Sequence, residues 1–186
     1  MLLLVGLGNP SVDNVDNRHN IGFKIIDAIN HEFSLSKQKP KFKGLLTTGK
    51  IGDKKVYAIK PLTFMNNSGI CIRELLEYFK IESADVIVFH DDLDINFGKI
   101  KVKFGGSSAG HNGIESIDKH IGKDYSRVRI GIGRPTKKNM VSEHVLDDFN
   151  DDEKNNISEV TNNIIKSLPI LIDKKLELFS SKVNET

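Results

Sequence analysis

The sequence predicts a single-domain α/β fold: a twisted, mixed, largely parallel sheet with helices on both faces. Short apolar runs alternate with segments of helical spacing along the chain. Two of those runs, Leu2–Leu7 and Val86–His90, are almost continuously hydrophobic, as strands covered on both faces are. At 186 residues, with no repeat and no long linker, the chain suits one compact domain, residues 1–186.

The first predicted strand is Leu2–Leu7; the next are Leu45–Ile51 and Val56–Leu62, with Gly52-Asp53 between them as the turn of an antiparallel hairpin. Val86–His90, Lys99–Phe104 and Arg127–Ile132 complete the set. Between them, Gly22, Ile25, Ile26, Ile29 and Phe33 recur at helical spacing, as do Ile72, Leu75, Leu76 and Phe79. Ser34–Lys43 reads as a polar, basic loop. A last helix should open with Asn150 as N-cap and Glu153 three residues on. Its inner face would carry Ile157, Val160, Ile164 and Leu168, and Pro169 should kink or end it. The tail, 179–186, should be frayed.

Composition narrows the class. The hydrophobic fraction of 38% and charged fraction of 28% are those of an ordinary soluble domain. The single Cys71 cannot form an internal disulfide, and the opening apolar run is too short to span a membrane. No targeting segment is read there, so the cytoplasm is the expected compartment. Net charge is only +2, so any nucleic-acid surface must gather its cations on one face. Lys99, Lys101 and Lys103 alternate with apolar residues and would share a strand face at roughly 6.7 Å spacing. Arg127 and Arg129 repeat the pattern. A solubilising outer face would look the same, although Lys37, Lys39, Lys41, Lys43, Lys137 and Lys138 add weight to a phosphate-facing patch.

In open α/β sheets ligands bind beyond the carboxyl ends of the strands, and the unusual segments fall there. The Gly6–Pro10 loop is not a dinucleotide site, because Ser11 stands at the third glycine position and Pro10 removes a backbone donor. No G-x-S-x-G elbow is present, and Cys71 has no neighbouring base. His19 and Asp91 remain. A neutral imidazole can take a proton from water, and a carboxylate on its other nitrogen fixes its tautomer. A histidine near a helix start can equally serve as a local hydrogen-bonding group. Asp91, Asp92 and Asp94 could hold Mg²⁺, or Asp92 and Asp94 could merely turn and cap the chain. Asn9, Asn66 and Asn112 each stand in a would-be cleft loop, where a carboxamide complements a peptide unit.

VGLGNP, RHNIGF, PLTFMNNSG, HDDLD, GGSSAGHNG and RVRIGIGRP, in this order from the first strand to about Pro135, resemble the bacterial-type peptidyl-tRNA hydrolase family. Beyond Pro135 the similarity is one of general helical pattern. The resemblance implies a cytoplasmic monomer that needs no metal or cofactor and no obligate protein partner. Its substrate would be peptidyl-tRNA, bound by the acceptor stem and 3′ end. It implies His19 as general base for water attacking the ester and Asp91 as its orienting group. Asn9, Met65, Asn66, His111 and Asn112 would bind the substrate, and Lys103 and Arg129 would meet tRNA phosphate. Residues 136–150 would form a lid. The chain departs from the family's pattern at Ser11, usually glycine, at Asn14, usually tyrosine, and at Asn17, usually threonine. Two other readings of the same residues are a non-catalytic RNA-binding relative and a metal phosphohydrolase built on the Asp91, Asp92 and Asp94 cluster.

Overall fold

Alternation in the first strand decides the layering. In the computed structural model, which describes residues 1–185, β1 (Leu2–Gly6) is buried throughout. Leu2 and Leu4 join one core and Leu3 and Val5 the other, so the strand has a helical layer on each side. The elements that follow are α1 (Ile21–Glu32), β2 (Lys39–Lys41), β3 (Gly44–Ile51), β4 (Lys54–Pro61), α2 (Ser68–Phe79) and β5 (Val86–Asp92). Then come β6 (Ile100–Phe104), α3 (Asn112–Ile121), β7 (Ser126–Gly131), α4 (Val141–Leu146), α5 (Asp151–Ile172) and α6 (Leu176–Val183). The seven strands form one sheet in the order β2-β3-β4-β1-β5-β7-β6. β4, β1, β5 and β7 are mutually parallel; β3 and β6 oppose them, and β2, antiparallel to β3, points the same way as the four.

One core packs Ile21, Ile25, Ile26 and Ile29 of α1 and Ile157, Val160, Ile164 and Leu168 of α5 beneath the sheet. The other packs Ile72, Leu75 and Leu76 of α2 and Ile114 and Ile117 of α3 on its opposite face. β1 lies between β4 and β5, so consecutive connections leave it on opposite sides and open a crevice at its carboxyl end. All six predicted strands, the Gly52 hairpin and the Asn150–Glu153 capping box are present.

Several expectations need correction. The basic stretch 34–43 is not all loop: Lys39–Lys41 pairs with β3 as an edge strand. α3 starts inside the glycine-rich segment, because His111 accepts the backbone N–H groups of Gly113 and Ile114 as an N-cap. α5 runs through Pro169 to Ile172. The hydrogen bond that Pro169 cannot donate is offset by burial of Leu168, Leu171 and Ile172. The tail expected to fray over 179–186 is helical to Val183, with Phe179 and Val183 buried. Asn184 also clamps the backbone of Ile100 on both its N–H and its carbonyl. Thr186 lies outside the described residues. Arg127 does not face outward: it is buried, ion-paired to Asp118 at 2.9 Å and bonded to the Ser107 carbonyl.

Candidate active site

Two close helix–strand approaches bring the site together. A side chain at Gly22 would strike the Leu7 nitrogen at 2.4 Å and the Phe89 carbonyl at 2.5 Å, so α1 rests directly on the ends of β1 and β5. The 3₁₀ turn Arg18–Asn20 that leads into α1 is thereby set over Asp91 near the end of β5. On the other face, a side chain at Gly113 would meet the Met65 sulfur at 2.5 Å and Leu7 at 2.8 Å. That contact seats the start of α3, and with it His111, against the same aspartate.

Asp91 is buried and takes both imidazoles. His19 Nδ1 lies 2.9 Å from each carboxylate oxygen, and His111 Nε2 lies 2.9 Å from Oδ1. The proton positions follow from the other partners. His111 Nδ1 accepts from Gly113 and Ile114, so its Nε2 must carry hydrogen and donate to Asp91. Asp91 is therefore a doubly hydrogen-bonded carboxylate. Burial pushes its carboxyl up, but the His19 and His111 imidazoles that face it and donate to it pull harder and hold it well below the usual range. For His19, burial favours the neutral ring, yet the Asp91 charge and hydrogen bond win and raise its pKa above the ordinary 6.5. With Nδ1 held by Asp91, Nε2 is the nitrogen left for the cleft.

Around this pair the cleft has two lobes, of about 150 and 260 Å³, that share His19, Asn112, Ser142 and Val145. The larger is walled by Asn9, Phe64, Met65 and Asn66, the smaller by Asp91 and the Ser108–His111 loop. Asn9 gives its side-chain oxygen to the Met65 N–H at 2.8 Å, which leaves its amide N–H₂ as a donor. Its backbone is held at two points by Asn20: Asn9 N–H donates to Oδ1 at 2.8 Å, and Asn20 Nδ2 donates to the Asn9 carbonyl at 2.9 Å. Phe64, half-exposed at the rim, has φ 58° and ψ 159°, a conformation close to glycine's own and costing of order 1–3 kcal/mol. The Asn9–Met65 bond and the buried Met65 side chain hold it there.

The site residues read from the sequence thus divide. Asn9, His19, Met65, Asn66, Asp91, His111 and Asn112 line one cleft. Lys103 and Arg129 lie outside it on β6 and β7, with Arg129 bonded to Asp92 at 2.8 Å and Lys103 exposed. Asn20, Phe64 and the α4 side chains Ser142, Val145 and Leu146 were not singled out by sequence reading. Asn20 and Phe64 stood inside quoted motifs, but nothing in a motif reveals a clamp or a strained backbone.

The three aspartates do not converge. Asp92 is paired with Arg129 and accepts the Asp94 N–H in a turn, and Asp94 is paired with Arg134 at 2.6 Å. Among the described residues the metal-capable group is His19, Asp91 and His111, whose ligand atoms lie within 4.8 Å of one another. It fits an ion poorly: His111 could turn an Nε2 lone pair to a metal only by moving its proton to Nδ1, against two backbone N–H donors. Cys71 is buried, with its thiol pushed up to about 12 by burial and the Glu74 charge, which leaves it a packing group. Asn14 and Asn17, two departures from the resembled pattern, bond to each other at 2.8 Å, and Ser11 accepts the Asp13 N–H.

The family model described as Peptidyl-tRNA hydrolase matches residues 3–186, so the likeness continues past Pro135 through the C-terminal helices. The chain is 75% identical over 184 residues to the peptidyl-tRNA hydrolase of Pelagibacter ubique, covering 99% of each chain. It is 44% identical to that of Bartonella henselae, over all of this chain and 96% of the other. The crystal structure of an Arg119Gln mutant of the Acinetobacter baumannii peptidyl-tRNA hydrolase superposes with TM-score 0.94 at 33% identity, covering 99% of this chain and 94% of that one.

Proposed function

The chain belongs to the peptidyl-tRNA hydrolase family, and from that premise and the cleft geometry we propose that His19 activates the water that cleaves peptidyl-tRNA. The enzyme hydrolyses the ester between a peptide and the 3′-terminal ribose of tRNA. The observation that carries the mechanism is the Asp91–His19 hydrogen bond, with the second imidazole nitrogen left to the cleft. Water gives its proton to His19 Nε2 as its oxygen attacks the ester carbonyl. Asp91 stabilises the imidazolium that forms, and the proton then passes to the departing ribose oxygen. The Asn9 amide N–H₂, fixed by Met65 and Asn20, is the donor for the developing oxyanion, a contribution typically worth ~3 kcal/mol. His111 acts through Asp91 as a second fixed donor. Asn66 and Asn112, exposed on either side of the larger lobe, hold the peptide amides.

An amide-lined slot offers no counter-charge to a free α-ammonium, whose burial costs several kcal/mol. N-acetyl-aminoacyl-tRNA should therefore be cleaved far faster than free aminoacyl-tRNA, with chelator present. Equal rates would refute the slot, and release that stops on chelation would refute water activation by His19 alone.

Residues 136–150 act as a lid, since α4 contributes Val141, Ser142, Val145 and Leu146 to the cleft. Arg18, next to His19, ties this segment down through the His144 carbonyl at 3.0 Å and is itself anchored to Glu153 of α5 at 2.9 Å. Lys103 and Arg129 receive the acceptor-end phosphate. Lys103→Ala should raise KM more than it lowers kcat and flatten the log–log salt slope by about one. An unchanged slope would return Lys103 to the solvated surface. The same reading makes the protein a cytoplasmic monomer; no helix among the described residues is long and apolar enough to cross a membrane.

The pH profile follows from the sign of the His19 shift. The base works when neutral, so a raised pKa moves the acid limb of kcat/KM up: activity falls as pH drops through a midpoint above 6.5. A midpoint below 6.5 in the wild type would contradict the Asp91 coupling.

A further inference from the structure

The β2–β3–β4 side of the sheet carries a lysine field, outside the cleft lining, that the hydrolytic reading does not use. Between Ser34 and Leu62 the chain holds eight lysines and one carboxylate, Asp53. Lys43, Lys54 and Lys60 are paired with Glu74, Asp173 and Asp27. Lys39, Lys41, Lys50 and Lys55 are exposed, and among the described residues none has a carboxylate within 4.0 Å. Strand register sets these four on one face. Lys39 is opposite Leu46, Lys41 opposite Gly44, and Lys50 directly opposite Lys55, with Tyr57 two residues along from Lys55. Like charges placed face to face across a ladder are destabilising.

Aromatic rings lie among the lysines. Lys41 Nζ is 4.6 Å from the Tyr78 ring, 5.1 Å from Phe42 and 5.7 Å from Phe79, and Lys55 Nζ is 5.2 Å from Tyr57. Tyr78 is 63% exposed. The turn presenting Phe42 and Lys43 has both at positive φ, 54° and 57°, without a glycine. Lysines on an edge strand guard against edge-to-edge pairing, which accounts for Lys39 and Lys41. It does not account for Lys50 set directly opposite Lys55, for the turn at positive φ, or for the exposed Tyr78 beside Lys41.

We propose that this face is a second RNA-binding surface, taking the phosphate backbone of a structured RNA other than the acceptor stem in the cleft. Lys39 and Lys41, about 6.7 Å apart along β2, can follow a phosphate chain, and Lys50 and Lys55 extend the same face toward the hairpin end. The exposed Tyr78 ring beside Lys41 adds a stacking surface that an acidic peptide would not need. β2 and β6 are opposite edges of the sheet, six strand spacings or roughly 29 Å apart at about 4.8 Å each. An acceptor stem held at Lys103 therefore leaves this face open.

The test is binding of a blunt-ended RNA hairpin without a 3′ single strand, followed by anisotropy against rising salt, beside hydrolysis of peptidyl-tRNA. The variant Lys39→Ala/Lys50→Ala/Lys55→Ala should bind the hairpin about a hundredfold more weakly near 0.1 M salt and flatten the salt slope by about three. Its kcat/KM on peptidyl-tRNA should stay within about twofold of wild type, since no cleft residue is touched. Lys50→Glu alone should create a cross-strand pair with Lys55 and raise Tm by about 1–2 °C while weakening hairpin binding. A structural role alone would not give those opposite signs. Unchanged hairpin affinity and slope in the triple variant would overturn the proposal. So would a joint loss of binding and hydrolysis, which would put the substrate's own tRNA body on this face. Wild-type protein that binds phosphatidylserine vesicles and ignores the hairpin would replace RNA with a lipid surface.

Discussion

Replacing His19 with alanine is expected to lower kcat for N-acetyl-aminoacyl-tRNA by at least ~100-fold while the protein stays folded. The seat of α1 rests on Gly22 and on Ile21, Ile25, Ile26 and Ile29, none of which the change disturbs. What is lost is the one imidazole whose second nitrogen opens to both cleft lobes. Asp91 would keep the His111 donor and so would not be left as an unpaired buried charge. The cost in stability should therefore be that of one charge-assisted hydrogen bond, about 1.5–3 kcal/mol. Single-turnover rates and a thermal melt on the same preparation check both halves. Wild-type-like turnover in a folded variant would remove His19 from the mechanism.

Asp91→Asn is expected to cut kcat by about 10²–10⁴-fold, for a different reason. A carboxylate accepts from His19 Nδ1–H and from His111 Nε2–H together; a carboxamide has one oxygen and offers an N–H₂ on its other side. His111 cannot change tautomer cheaply, because Gly113 and Ile114 occupy its Nδ1. His19 is thus the ring expected to yield, turning its Nε2 into a donor that no longer accepts a proton from water. Without the carboxylate charge the residual activity should also lose the upward shift of its acid limb. Stability carries a second signature. A depressed carboxyl pKa contributes stability present above the unfolded value of 3.8 and lost as pH falls below it. The difference in stability between wild type and variant should therefore shrink as pH falls through that region. A variant within about tenfold of wild-type kcat would show that the orientation of His19 does not depend on Asp91.

The sequence by itself determined the layered α/β architecture. A run such as Leu2–Val5 has no polar side to turn to water, so a helix must cover each face, and Ile25, Ile26 and Ile29 supply one of them. It also determined the Gly52 hairpin and the Asn150–Glu153 cap, because turn and cap chemistry act within a few residues. His19 and Asp91 were legible as a pair through the order of the motifs around them. Only the tertiary structure decided that His111 completes that pair, that Asn20 clamps Asn9, and that Arg127 is buried on Asp118 while Lys103 stays outside. A strand pattern gives the side of the sheet on which a cation falls, but burial depends on what packs there. Arg127 is covered by the Ser107 loop, which meets it only after folding. The tail was misjudged in the same way. Its last helix is held by Phe179, Val183 and the Asn184 clamp on Ile100, contacts spanning up to 84 residues of chain that no local pattern records.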